Sequence, residues 1–504
     1  MEKLNRFLCA AATMAAFSCA ATLLVLGVWM ASTDIVDFRG VETNVVYSII
    51  KLINGKQLYT DPTVPPYDVT QYAPLYYLLC AAAARLLGLG PNDVASISSL
   101  GRGLSAFCGV ILFISSYLFC ARTLKADRIV AAASSSIAYV LCAPWLYLAR
   151  PDALYSLCLF SSLALCYVAA GHGNRNSSGV VPIAMSAILS ALAVLSKQTG
   201  IQAFVAIVPF LAAMKEWRLA AIYLATSVAV LLLFFLSLRS LLGPAILQNA
   251  LGGIANDILP VAAFVRTFHP FFSQLGPFVA WSAAATVHWN FTGRDRGRGF
   301  MLWAFWLLFA FATVSGFRFG SDDHYYNECL LIWAAVAAVD FTGLRRRRRG
   351  TDLRGAVLHT LITVFIIILL PIRTAYIAGK CAADMDVVQN RYSGRAEVAA
   401  YLKGQMNGRP GSWFFCEDQV LTLFLPDSAL FPQQDVIMYS PSYMLQAALA
   451  GYRELTAAGM VRYIVCSAPH AKQATFVPRA GGLRFVKRVG AYDIFQVDAT
   501  SGAP

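Results

Sequence analysis

Tyr72-Ala73-Pro74-Leu75-Tyr76-Tyr77 opens an apolar run, 73–89, that closes on Gly88, Gly90 and Pro91. Whether this run crosses a membrane or lies along one face decides the fold. Working outward, the other apolar runs are the stretch from Phe7 to Ala31 and 103–121, 129–148, 153–170, 180–195, 199–214, 219–242, 271–289, 300–317, 326–341 and 356–377. The basic connectors between them are Arg122/Lys125/Arg128, Arg175, Lys215/Arg218, Arg294/Arg296/Arg298 and Arg345 to Arg349. If 73–89 crosses, most of these clusters fall outside. If it lies along the outer face, all of them fall inside, as the excess of Lys and Arg in cytoplasmic loops requires. Its aromatic start suits the interfacial belt and its Gly/Pro end suits a stop. The expectation is an interfacial helix, about eleven spans, an N-terminus held inside by Lys3 and Arg6, and a tail outside.

Composition sets the class. Of 504 residues, 58% are hydrophobic and 13% charged, with mean hydropathy +0.60, against about a quarter charged in globular proteins. Such a chain uses lipid as solvent for much of its length. The net charge is +13, but residues 377–504 carry 12 Lys+Arg against 10 Asp+Glu, so +11 belongs to the apolar part. That distribution is a topological signal, and no nucleic-acid surface is expected. The twelve cysteines show no zinc-like spacing, and no GxxxxGK[ST] or GxGxxG stretch is present; ATP-driven transport by this chain alone is disfavoured.

The chain divides into a multispanning part, 1–376, with a first outer loop of about 32–102, and a soluble tail, 377–504. In the tail, 393–406 reads as an amphipathic helix, 412–416 as a strand, 443–458 as a helix and 462–467 as a strand. Residues 484–489 and 492–497 read as a closing hairpin. Strand–helix–strand order with β-branched strands predicts a small extracytoplasmic α/β domain. Glu417-Asp418 at a strand end could bind a ligand, but a solvated loop is the preferred reading.

Charges near hydrocarbon are the informative residues, and on the outer side they gather. The first loop offers Asp34, Asp37, Arg39 and Glu42; a short turn offers Arg150 and Asp152; Lys197 interrupts an apolar stretch; Arg318, Asp322, Asp323, His324 and Glu328 crowd one further turn. Each has a plain structural reading. Asp34 and Asp37 suit a helix end at water, and Pro151-Asp152 suits a helix N-terminus. Asp322-Asp323 suits a polar turn, and the five arginines suit topology. Lys197, at a Lys-Gln-Thr-Gly corner with little loop around it, needs a nearby anion.

Together these residues suit sugar transfer from a lipid phosphate. That reaction needs a base to take the acceptor proton, for which Asp37 and Glu42 are candidates, and cations for the departing phosphate, for which Lys197, Arg150 and His324 are candidates. Tyr72, Tyr76 and Glu328 are candidate substrate contacts.

Asp37…Glu42, Asn54-Gly55-Lys56-Gln57-Leu58-Tyr59 and Tyr72 to Tyr77 resemble the first loop of bacterial GT-C glycosyltransferases, in the group related to protein O-mannosyltransferases and the lipid A aminoarabinose transferase. Arg150-Pro151-Asp152-Ala153-Leu154, Ser196-Lys197-Gln198-Thr199 and His324-Tyr325-Tyr326-Asn327-Glu328 resemble further landmarks in the same order, over about residues 30–340. The resemblance implies a bacterial inner-membrane enzyme that inverts the anomeric centre of a polyprenyl-phosphate sugar. Its acceptor would be a cell-envelope glycan, a lipid or a protein. It implies a catalytic carboxylate at Asp37, with Asp34 and Glu42 as rivals, and a second at Asp152. Two features depart from the group: Asp37 and Glu42 are not adjacent, and Gln71-Tyr72-Ala73 stand where a lysine lies just ahead of the Pro-Leu-Tyr segment in relatives. No cofactor is implied, although the first-loop acids or Asp322/Asp323 are compatible with a divalent cation. The alternative is a lipid or solute transporter or flippase of envelope glycan synthesis; against it stand the absence of an internal repeat and the gathering of charge at one edge.

Overall fold

The computed structural model describes the chain except residues 1, 39–41, 172–178, 253–257, 259, most of 266–295, 319–322, 348–352, 392, 407–410, 434–435, 438–441, 468–481 and 499–504. The expected span 271–289 and the candidates Arg39, Arg175, Arg294 and Asp322 therefore lie wholly or largely outside the described residues.

In chain order the main helices are α1 Glu2–Ala31, α2 Thr43–Ile53, α3 Leu75–Leu86, α4 Val94–Leu118, α5 Arg128–Leu146, α6 Asp152–Gly171, α7 Val180–Ser196, α8 Gln202–Ala213 and α9 Trp217–Ser237. They continue with α10 Ile246–Gly252, α11 Arg296–Gly316, α12 Asn327–Arg347 and α13 Leu353–Arg391. The tail adds α14 Arg395–Met406, β1 Trp413–Cys416, α15 Gln419–Leu423, β2 Ala429–Leu430, α16 Ser442–Ala457, β3 Val461–Ser467, β4 Leu483–Val489 and β5 Tyr492–Val497. Every tail element expected from the sequence is present within two residues. The change of composition near residue 377 falls inside α13, one continuous helix of 39 residues.

Contacts group the chain into two compact units: residues 1–32, 102–237 and 258–379, and residues 33–101, 238–257 and 380–504. In the first, helical unit, α5 packs against α1 and α12, and α7 against α6 and α9. Among the described residues six helices are long and apolar enough to cross a membrane, and four apolar helices are shorter. In Trp217–Ser237 only 17% of the apolar window is buried, with Leu232, Leu233 and Leu236 exposed; such a surface requires lipid. Inside, Ser162 bonds Ser186 and Ser190 at 3.0 and 2.6 Å, and Tyr223 donates to Ser190 at 2.6 Å. These hydroxyls tie α6, α7 and α9 together where no water competes.

α3 has 12 residues, about 18 Å at 1.5 Å per residue, against roughly 30 Å of hydrocarbon. It is too short to span. Tyr76, Tyr77, Cys80, Ala81 and Ala84 are buried, while Leu79 and Leu86, with the following Leu87, are exposed. One face packs on protein and the other is greasy, the pattern of a helix lying in an interface.

The second unit is built on a five-stranded sheet, order β2-β1-β3-β5-β4. β1 pairs in parallel with β2 and β3, and β5 runs antiparallel to β3 and β4. Successive side chains of a strand face opposite ways, and both faces are buried here. Phe414, Cys416, Tyr463 and Val465 join one core with α14, whereas Phe415, Val461, Ile464 and Cys466 join another with α16. The second core also takes Tyr67 and Val69 from the first loop. Tyr67 stacks on Phe431 with centroids 5.0 Å apart, and the Phe431 N–H donates to the Pro66 carbonyl at 2.9 Å. Gly451 on α16 lies so close to the Tyr67 hydroxyl that a Cβ would collide with it.

Candidate functional site

The sequence candidates form two clusters, one in each unit. In the helical unit the turn before α6, the α7–α8 corner and the turn before α12 meet around Asp152. Lys197 Nζ lies 2.7 Å from Asp152 Oδ1 and Arg150 Nε lies 3.0 Å from Oδ2. All three are at most 6% exposed. Asp152 is the anion that the Lys197 corner requires. α7 ends because Lys197 is extended, at φ −152 and ψ 136. The chain turns on Gly200, where any Cβ would strike the backbone of Ala193 and Val194. That corner fixes the lysine under Tyr325 and Tyr155, with Nζ 4.9 and 5.6 Å from the ring centroids. Arg150 lies over Trp145 at 5.2 Å, and Ser105 donates to the Arg150 carbonyl at 3.0 Å. Rings that face a cation stabilise it when water is excluded.

His324 stands 3.9 Å from Asp152, beyond hydrogen-bond reach. Burial, and next the Lys197 charge, hold its imidazole well below the ordinary histidine range, so the ring is neutral at pH 7. Its Nδ1 is buried with no hydrogen-bond partner among the described residues. It therefore offers a polar atom and no charge. Glu328, on α12, accepts from Ser156 at 2.7 Å.

The first-loop cluster has a different character. Asp37 Oδ1 accepts from the Glu42 N–H at 3.1 Å, and Oδ2 accepts from the Thr43 hydroxyl at 2.5 Å. In return Glu42 Oε2 accepts from the Phe38 N–H at 2.6 Å. Asp37 thus accepts from two groups at the start of α2, whereas Glu42, the N-cap residue, makes no side-chain capping bond to the helix and ties back to Phe38 instead. The helix macrodipole favours both negative charges there. Asp34 is exposed, whereas Asp37 and Glu42 are 5% and 0% exposed.

Tyr76 is fully buried and donates to the Gly101 carbonyl at 2.7 Å. The Tyr72 backbone ties to Tyr59 and Tyr77, its carbonyl accepting at 2.8 Å and its N–H donating at 3.3 Å. Both tyrosines anchor α3. Sequence reasoning passed over Lys51, whose buried ammonium pairs with Asp68 and donates to Leu58 O and Thr60 Oγ1 at 2.9 and 3.1 Å. A lone lysine in the apolar run Ile49-Ile50-Lys51-Leu52-Ile53 was the available signal. Glu417-Asp418 is not simply a solvated loop. Arg395 forks onto Asp418 at 2.6 and 3.1 Å, and Tyr492 donates to the same carboxylate. Burial, and next the Asp418 charge, push the Tyr492 phenol far above the usual range. Among the described residues no group of three or more His, Cys, Asp or Glu is placed to hold a metal ion.

No protein-family model matches the sequence, and no curated protein matches it. Solved structures do. ArnT from Cupriavidus metallidurans bound to undecaprenyl phosphate matches with a TM-score of 0.61 at 14% identity, over 97% of this chain and 99% of its own. The same protein in the apo state gives 0.60 at 16%, over 95% and 97%. The archaeal oligosaccharyltransferase AglB from Archaeoglobus fulgidus, in complex with an inhibitory peptide and a dolichol-phosphate, gives 0.60 at 13%, over 99% of this chain and 75% of that one. The chain thus has the GT-C fold that ArnT and AglB share, and is a multi-pass membrane protein.

Proposed function

We propose that this protein is a membrane glycosyltransferase that moves a sugar from a polyprenyl phosphate to a cell-envelope glycan, lipid or protein, with inversion. The observation that carries the reading is the match, along nearly the whole of both chains, to a structure holding undecaprenyl phosphate. The residues supply the chemistry such a donor needs. Asp37 takes the proton of the acceptor hydroxyl as that oxygen attacks C1. The bond from C1 to the phosphate oxygen breaks and leaves with its electron pair. Lys197 and Arg150, fixed by Asp152, stabilise the phosphate as its charge grows. Asp152 thereby orients cations, and His324 adds a neutral polar contact. The activated sugar provides the free energy, so no ATP is consumed. The protein resides in the bacterial inner membrane with its N-terminus cytoplasmic and its C-terminal domain outside.

Mass spectrometry of envelope glycans and glycolipids from a deletion strain tests this directly. One sugar should be missing and should return with the wild-type gene. Unchanged glycans, with a lipid intermediate accumulating on the inner face instead, would favour a flippase.

A further inference from the structure

The C-terminal domain does more than sit beside the first loop; it grips the helix whose start holds Asp37. Gln433 is fully buried. Its Nε2 donates to the Asn44 carbonyl at 2.8 Å and to the Ser48 hydroxyl at 3.0 Å. Both partners lie in the first two turns of α2. Asn44 directly follows Thr43, whose hydroxyl fixes Asp37 Oδ2, and the Glu42 N–H at the same helix end fixes Oδ1. Ser48 also donates to the Asn44 carbonyl at 3.0 Å and meets Thr70 Oγ1 at 3.3 Å. α15 packs against α2 as well. An exposed ion pair, Lys56 with Asp427, also ties the tail to the first loop just beyond the far end of α2; at the start of the helix the tie is the neutral amide of Gln433.

We infer that Gln433 is a positioning residue: through Asn44 and Ser48 it holds the start of α2, and with it the Asp37 carboxylate, at a fixed place. The inference rests on the reading of Asp37 as the base. The physical ground is that losing the Gln433 amide takes one bond each from the buried Asn44 carbonyl and Ser48 hydroxyl, leaving the start of α2 held only by bonds within the first loop. A displacement of about 1 Å at a reacting group can cost on the order of a hundredfold in rate.

The test uses the full-length protein in detergent micelles for hydrogen exchange and the deletion strain for glycan modification. Gln433→Met keeps the length of the side chain and removes both bonds. Amides of 42–53 should exchange about tenfold faster or more, and modification should fall about tenfold. Ser48→Ala, which removes one of the two bonds, should move both readouts the same way but less. Val465→Ala is the control, because it loosens the tail core that contains no first-loop residue. It should raise exchange in 461–467 while leaving 42–53 within about twofold and modification intact. The inference is overturned if Gln433→Met leaves 42–53 unchanged, or if Val465→Ala reproduces both effects. Should Asp37→Asn retain full modification, the base assignment fails by a separate result, and the exchange data still report whether Gln433 holds α2.

Discussion

Asp152 opens α6 and Asp37 lies just ahead of α2; both are buried, and the bonds that hold them differ. Asp152 engages an ammonium and a guanidinium; Asp37 accepts from a backbone N–H and a hydroxyl. A carboxylate committed to two cations holds charge in place. Asp37, held by the Glu42 N–H and the Thr43 hydroxyl, is the acid we propose for the proton transfer. We propose that these two acids, which look alike in sequence, do different work, as environment divides paired acids in other enzymes.

Neutralising each acid in turn should cost a different property. Asp37→Asn should reduce transfer by about 10²–10⁴-fold. Because Asn keeps a carbonyl oxygen for the Glu42 N–H and the Thr43 hydroxyl can turn to accept from the amide, it should cost no more than about 1 kcal/mol in stability. Asp152→Asn should do the reverse in emphasis. Leaving Lys197 and Arg150 without their carboxylate should destabilise the helical unit by about 3–5 kcal/mol, read as a lower thermal midpoint in micelles. Adding Lys197→Met to Asp152→Asn should recover part of that stability but not transfer. A double variant no more stable than Asp152→Asn would mean the pair is not coupled.

Smaller effects sharpen the geometry. Gly200→Ala must push against the Ala193 backbone, so it should cost about 1–3 kcal/mol and disturb the corner that aims Lys197. Transfer should fall with it, since the lysine moves. Glu42→Gln keeps an acceptor for the Phe38 N–H. It should therefore change stability by only a few tenths of a kcal/mol, the loss of one favourable charge at a helix start. A large loss of transfer in Glu42→Gln would move the base assignment from Asp37 to its rival.

What the sequence made legible follows from locality. The short, buried, β-branched strands Val461–Ser467 and Tyr492–Val497 and the basic connectors announce themselves within a few residues. The need of Lys197 for an anion was legible too, because a lysine inside an apolar stretch has no water to turn to. That the anion is Asp152, 45 residues earlier, depends on how α6 packs against α7. The same holds for Asp418, which looked like a solvated loop until Arg395 and Tyr492, 23 and 74 residues away, closed on it. The sharing of Tyr67 and Val69 with the tail core was hidden for the same reason. Pairings across tens to hundreds of residues leave no periodicity to read.

The central claim is that the first-loop carboxylate does the proton chemistry while the helical cluster holds charge. Its most direct test is quantitative mass spectrometry of envelope glycans in a deletion strain carrying Asp37→Asn, expressed in the membrane at the wild-type level. The expected result is the same missing sugar as in the empty deletion strain, with a protein whose thermal midpoint matches wild type. Restoration of that sugar by Asp37→Asn would contradict the claim.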